Sequence, residues 1–275
     1  MTAKGSETDM THDRRIDVAE GTAFVTGDVH GNIYDFDARI EYAKVPGGSC
    51  VVIAGDAGIA YGQPHMTLKG SWRHDMERLD HLEQICAYHD VIAIVMRGNH
   101  DVRYCRDIRD ELFGDFEPMC DENGSYLTLF RAPHLLFASD RGGAYRIGGR
   151  DVLMIPGAYS VDKAIRLYNG LPWEAEEQLD SDELARLEEM SRHIPFDAVI
   201  SHTCPSAWQA KMPDLLIPGL RSVDHTMEMA LDRILANVGE ISADNAPRWF
   251  FGHYHDDREI TGTMGRLLYH DVVAL

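Results

Sequence analysis

Three apolar runs early in the chain, Thr22-Ala23-Phe24-Val25, Cys50-Val51-Val52-Ile53-Ala54 and Val91-Ile92-Ala93-Ile94-Val95-Met96, each stop within two residues of a glycine followed by Asp or Asn. Between them lie helical patterns. Ile33 to Lys44 puts Ile33, Phe36 and Ile40 on one face, and Trp72 to Tyr88 repeats Met76, Leu79, Leu82 and Ile85 at helical spacing. Strands that are apolar without alternation are covered on both faces. Strand, helix, strand, helix, strand in that order demands a parallel sheet with right-handed crossovers. Open α/β sheets carry their chemistry on the loops just past the carboxyl ends of strands. The pattern therefore predicts a crevice into which three polar loops project.

The rest of the chain is less regular. Asp101 to Leu112 reads as a helix, Tyr126 to Phe130 as a strand, and Ala144 to Ile155 as a hairpin turning at Gly148-Gly149. Pro172-Trp173-Glu174 opens a helical stretch, and Asp180-x-x-Glu183 has the form of a capping box; the acidic run from Glu174 to Glu189 reads as a solvated helix face. Ala198 to Ser201 is a short strand ending in His202, and Cys204 to Leu220 is a proline-rich loop. Met227 to Val238 is an amphipathic helix. Trp249-Phe250-Phe251 is a strand running into Gly252-His253-Tyr254-His255, and Arg266 to Val273 closes the sheet. Residues 1–15 are polar without periodicity and read as a flexible tail, leaving 16–275 as a single domain.

Charge narrows the partners. With 45 Asp and Glu against 26 Lys and Arg, the formal net charge of −19 repels duplex nucleic acid and anionic membranes while concentrating cations. The five cysteines are scattered, never spaced Cys-x-x-Cys, and fit reduced thiols in a cytoplasm. The N-terminus shows no apolar signal segment, and no run approaches a membrane span.

Five strand ends carry the polar groups: Asp28 with His30, Asp56, Asn99-His100-Asp101, His202, and His253 with His255. Each could separately be a cap or an ordinary surface residue, which is how the other histidines (His12, His65, His74, His81, His89, His134, His193, His225 and His270) are read. Together they offer two carboxylates, four imidazoles and an amide, with one imidazole to spare. An oxygen and nitrogen set without thiolate suits Mn, Fe, Zn, Co or Ni and argues against a structural zinc site. Seven ligands exceed what one open site uses and suit two metals. Two divalent ions leave positive charge that two carboxylates only half offset, so an anionic substrate such as a phosphate ester is expected.

In this order, Asp-x-His, Gly-Asp, Gly-Asn-His-Asp, a later His and Gly-His-x-His resemble the motifs of the calcineurin-like metallophosphoesterase superfamily, from Asp28 to His255. The resemblance implies a four-layer α/β/β/α sandwich of two mixed sheets. It implies two divalent metal ions, with manganese the first choice in vitro. One would be held by Asp28, His30, Asp56 and His255, the other by Asp56, Asn99, His202 and His253. It further implies attack on a phosphate mono- or diester by a metal-bridging hydroxide, with His100 as general acid and Asp101 positioning it. The substrate is expected to be a small molecule or a nucleotide. Gly27-Asp28-Val29-His30-Gly31 and Arg97-Gly98-Asn99-His100 look like the serine/threonine phosphoprotein phosphatase branch. That branch continues its second motif to a phosphate-clamping arginine, which Gly55-Asp56-Ala57-Gly58-Ile59-Ala60 lacks; here Arg97 and Arg103 are read as structural. The alternatives are that phosphatase, a nuclease or nucleotide phosphodiesterase of the same superfamily, or a non-catalytic binding scaffold. Specificity is expected in segments 104–132, 158–192 and 205–221, which carry no motif.

Overall fold

The structure, a computed structural model, describes residues 22–59, 68–101, 103–104, 118–120, 126–129, 131–170, 173, 175–216, 224–241 and 247–275. The expected tail and most of the helix expected over Asp101–Leu112 fall outside them. In chain order the elements are β1 (Ala23–Thr26), α1 (Ile33–Ala43), β2 (Ser49–Ile53), α2 (Leu68–His89), β3 (Val91–Val95), β4 (Pro118–Cys120), β5 (Tyr126–Leu129), β6 (Ala132–Ala138), β7 (Gly143–Ile147) and β8 (Arg150–Ile155). There follow α3 (Lys163–Tyr168), a 3-10 turn (Ala175–Glu177), α4 (Ser181–His193), β9 (Ala198–Ser201), α5 (Ser206–Gln209), α6 (Thr226–Ile241), β10 (Arg248–Phe251), β11 (Arg258–Glu259), β12 (Gly265–Leu267) and β13 (Val272–Ala274).

Seven strands form one sheet in the order β13-β1-β2-β3-β6-β5-β4, and six form the other in the order β11-β12-β10-β9-β8-β7. Both are mixed. β1, β2, β3 and β6 run parallel in the first, and β8, β9, β10 and β12 in the second, with antiparallel strands at the edges. The period-two geometry of a strand explains why these runs are apolar throughout. In β2, Val51 and Ile53 face α1 and α2. Cys50 and Val52 enter a middle core shared with Met154, Ile200 and Phe250 of the second sheet. In β10, Trp249 and Phe251 turn the other way, toward α4 and α6. Three apolar layers separated by two sheets make the expected four-layer α/β/β/α sandwich.

Local signals place most boundaries. Asn32 caps α1, its side chain accepting from Asp35 N, and Lys44 closes it in the left-handed region. Asp180 and Glu183 form the reciprocal capping box of α4. Four features differ from the sequence reading. β6 went unread because Pro133 and His134 interrupt its apolar run. Arg266–Val273 is not one closing strand but β12 and β13 in different sheets, since the Asp257 carboxylate takes the amides of Tyr269, His270 and Asp271 and turns the chain between them. α5 forms inside the stretch read as a proline-rich loop, and α3 in a segment where no element was read. The acidic run is not wholly solvated: Glu177 and Glu183 are each only 4% exposed. No helix among the described residues is long and apolar enough to cross a membrane.

Candidate metal centre

The parallel strands of both sheets end at one crevice, and their loops are tied there by backbone bonds. His30 N donates to Asp56 O, His202 N to Ile155 O, Gly252 N to His202 O, and Gly157 N to Arg97 O across the two sheets. Among the described residues six non-glycines have left-handed backbone, and four of them are the candidate ligands His30 (φ 50°), Asp56 (47°), His253 (72°) and His255 (52°). Such conformations cost on the order of 1–3 kcal/mol each and persist where surrounding structure over-determines them. Bare backbone makes room for the ligands: a Cβ on Gly98 would lie 2.0 Å from Asp56 Oδ1, and one on Gly252 2.1 Å from Asp28 Oδ1.

All seven candidate ligands come together. Asp28 Oδ2 lies 3.2 Å from His255 Nε2 and 3.5 Å from His30 Nε2, and the two imidazole nitrogens are 2.8 Å apart. On the other side, His202 Nε2 is 3.4 Å from Asp56 Oδ2 and 2.8 Å from Asn99 Oδ1, while His253 Nδ1 is 3.0 Å from the same Asn99 oxygen. Asp28, His30 and His255 form one group whose donor atoms all lie within 4.8 Å of one another, and Asp28, Asp56 and His202 form a second. Asp28 belongs to both groups, and Asp56, expected from the sequence to serve both ions, belongs to the second and also lies beside His202 and the peptide joining Asn99 to His100.

The electrostatics fit cations. Burial opposes the charged forms of Asp28 and Asp56, but the His202 charge and imidazole hydrogen bonds outweigh it and hold both carboxyls below their usual range. His202 is desolvated too, yet Asp56 and Asp28 push it up to about 9. His253 is held down at about 3 by burial and by the His202 charge, which keeps its imidazole neutral as a ligand must be. Three imidazoles set against two buried carboxylates, with the His253 ring against the Asn99 amide oxygen, are a donor set that could hold borderline divalent ions.

Supporting contacts set the ligand orientations. His202 Nδ1 donates to Ala54 O at 2.8 Å, directing Nε2 at the site. Asn99 Nδ2 donates to Ser160 Oγ (2.9 Å), whose hydroxyl donates to Glu177 Oε2 (2.6 Å) while Ser160 N donates to Oε1 (2.8 Å). That chain fixes Asn99 with its oxygen facing the two histidines. Sequence reasoning missed Ser160 and Glu177, which belong to no motif.

His100 stands beside the metal groups, its amide donating to Asp56 Oδ1. Its expected partner Asp101 does something else: Oδ2 accepts from Gly98 N (2.9 Å) and Oδ1 from Gly58 N (3.3 Å), bracing the loops of β3 and β2. Arg166 of α3 takes the orienting place, with Nη1 2.6 Å from His100 Nδ1. The buried guanidinium adds to desolvation in lowering the His100 pKa, against the pull of Asp56. Arg97 and Arg103 are structural, as expected. Arg97 donates to the carbonyls of Glu176 and Glu177, and Arg103 to the Glu183 carboxylate. The side chains of His65 and His74 fall outside the described residues; His89, His134, His193 and His270 pair with carboxylates away from the site. His225 is exposed, as read, and stands at the cavity beside the centre.

A family model described as calcineurin-like phosphoesterase matches residues 22–257. No curated protein matches the chain in sequence comparison.

Proposed function

The chain belongs to the calcineurin-like phosphoesterase family, and we propose that it is a dinuclear metal-dependent hydrolase of phosphate mono- or diesters. The observation that supports this most is the convergence of two carboxylates, an amide and four imidazoles from five strand ends, their donor atoms in mutual contact. Asp28, His30, Asp56 and His255 would hold one ion, and Asp56, Asn99, His202 and His253 the other. Manganese is the first metal to supply in vitro. Bound there, the two ions would stabilise charge developing on the phosphoryl oxygens and supply a water of lowered pKa.

The chain's own groups do the rest. His100 stands at the rim of the centre with Nδ1 occupied by the Arg166 guanidinium, a donor without acceptor capacity. Nδ1 therefore accepts, and Nε2 carries the proton. That proton is offered as a hydrogen bond to the ester oxygen as it departs, the general-acid position. A second proton on Nδ1 is opposed as long as Arg166 stays, so the contact holds His100 in the tautomer that points its Nε2–H outward as a hydrogen-bond donor. Ser160 and Glu177 keep Asn99 from rotating its NH2 group into the site, and Asp101 holds the loop on which Asn99 and His100 ride.

A small-molecule or nucleotide ester suits the crevice better than a duplex, given the net charge of −19. Cys50, Cys86 and Cys204 are buried free thiols, which suits a reducing, cytoplasmic setting. The test is Asp56→Asn, assayed with metals resupplied: loss of bound metal together with nearly all hydrolysis is expected. Wild-type turnover with full metal content would overturn the assignment.

A further inference from the structure

The metal groups occupy only one end of a cavity of about 690 Å³. That volume is what a drug-sized ligand fills, far more than a phosphoryl group needs. Asp56, Asn99, His100, His253 and His255 form the near wall. Tyr159, Val161, Pro213, Leu215 and Leu216 form apolar flanks, from segments where specificity was expected. Ser206, Gln209, His225 and Glu228 also line the cavity.

Glu228 is the anomaly. It is 2% exposed at the first turn of α6, and its Oε2 has no hydrogen-bond partner among the described residues. Burying a carboxyl oxygen without a partner costs on the order of 1–3 kcal/mol, so an unsatisfied one on a cavity wall is either waste or a ligand contact. Its neighbours cannot serve it. Gln209 donates to Tyr254 Oη, and Asp224 and Asp232 add only negative charge. Burial, reinforced by those two carboxylates, raises the Glu228 pKa to about 7. Among the described residues lining the cavity there is no lysine or arginine, while Asp162 adds a further carboxylate. A second anionic group here would be repelled by the carboxylates of Glu228 and Asp162.

Resting on the phosphoesterase reading, we propose that this cavity is the alcohol subsite. Glu228 accepts a hydrogen bond there from an N–H of a flat, uncharged leaving alcohol, chemically a nucleoside with an amino-bearing base. The apolar flanks take the faces of the ring, and Glu228 reads its edge. A site built to receive such a donor rejects the analogue lacking it, because the buried acceptor is then left unpaired.

The probes are adenosine 5′-phosphate and the purine riboside 5′-phosphate that lacks only the exocyclic amine, with 4-nitrophenyl phosphate as a donor-free reference. The wild-type kcat/KM for the amino compound should exceed that for its analogue by about 10- to 100-fold, and Glu228→Leu should bring the ratio near one. Glu228→Gln, which keeps an acceptor, should retain most of the ratio. Calorimetry with adenosine itself needs neither metal nor turnover; binding should weaken at least about tenfold in Glu228→Leu. Hydrolysis of 4-nitrophenyl phosphate without discrimination between the purines, or adenosine binding untouched by Glu228→Leu, would overturn the subsite and leave the phosphoesterase standing. Glu228-dependent adenosine binding without hydrolysis of any ester would support the subsite and overturn the reaction.

Discussion

Replacing Gly98 by alanine tests whether the ligand cluster is as tightly built as its geometry implies. Gly98 does not have the left-handed backbone that alanine disfavours, so the only penalty is spatial. The added Cβ would sit 2.0 Å from Asp56 Oδ1 and 2.4 Å from Asp56 N. Ordinary contact begins near 3.4 Å, so the carboxylate must retreat by more than 1 Å. Asp56 is 1% exposed, its Oδ1 already accepts from His100 N, and its backbone is itself left-handed, so nothing nearby can yield cheaply. Metal–ligand distances tolerate about 0.2 Å, and disturbing even an outer partner of a ligand typically costs 10- to 100-fold in metal affinity. Gly98→Ala is therefore expected to lose at least about 100-fold in metal affinity, read by calorimetry and by metal content after dialysis. Overpacking of about 1–3 kcal/mol should lower the melting temperature by several degrees. Gly239→Ala in α6, where the new Cβ meets nothing within 4 Å, is the control and should gain up to about 1 kcal/mol. A Gly98→Ala protein that takes up two metals with unchanged affinity would refute the packing argument.

Three further outcomes are expected. Arg166→Met and His100→Asn should each lower kcat/KM by about 10- to 100-fold, and the double variant should fall no further than His100→Asn, because Arg166 works through that imidazole; additive losses would refute the coupling. Ser160→Ala should weaken metal binding by about 10- to 100-fold with little change in melting of the metal-free protein, since it releases Asn99 alone. Glu183 is held by Arg103 and Arg141 and caps α4; burial raises its carboxyl pKa, but the Arg103 hydrogen bond and charge and the Asp180 amide outweigh it and leave the pKa lowered. A lowered folded-state pKa contributes stability above the unfolded value near 4.5 and loses it as pH falls through the folded value. Glu183→Gln should therefore be about 2 kcal/mol less stable than wild type at pH 7, with the gap closing in acid; a pH-independent gap in denaturant unfolding would count against the ion pairs.

How much of this was readable in the chain depended on distance along it. Asp28, Asp56 and Asn99 each follow an apolar strand by a few residues, and a parallel sheet makes the strand ends neighbours automatically, so local sequence carried the site. Two imidazoles spaced like His253 and His255 similarly announce themselves. Arg166, Ser160, Glu177 and Glu228 reach the crevice only through the packing of α3, the 3-10 turn and α6, and no spacing rule connects them to Asn99 or His100. Asp101 misled for a related reason: sequence adjacency suggested a partner for His100, but a carboxylate facing back into its own loop finds the amides of Gly98 and Gly58 first. β6 failed on composition, since Pro133 and His134 hide a strand that needs only its pleat-facing residues, Leu135 and Phe137, to fill the core.

β13 lies alongside β1, antiparallel, with Val25 opposite Val273. During synthesis, then, the first strand of the first sheet is made early, pairs with β2, and waits with one row of amides and carbonyls bare until almost the whole described chain has followed. Its cover arrives after His253 and His255, so a chain broken off before β13 could carry every candidate ligand and still present a sticky edge. For such a protein, ribosomal stalling late in translation would be more hazardous than an early stop. It would yield a nearly finished molecule able to recruit a second copy, or a protease, through β1.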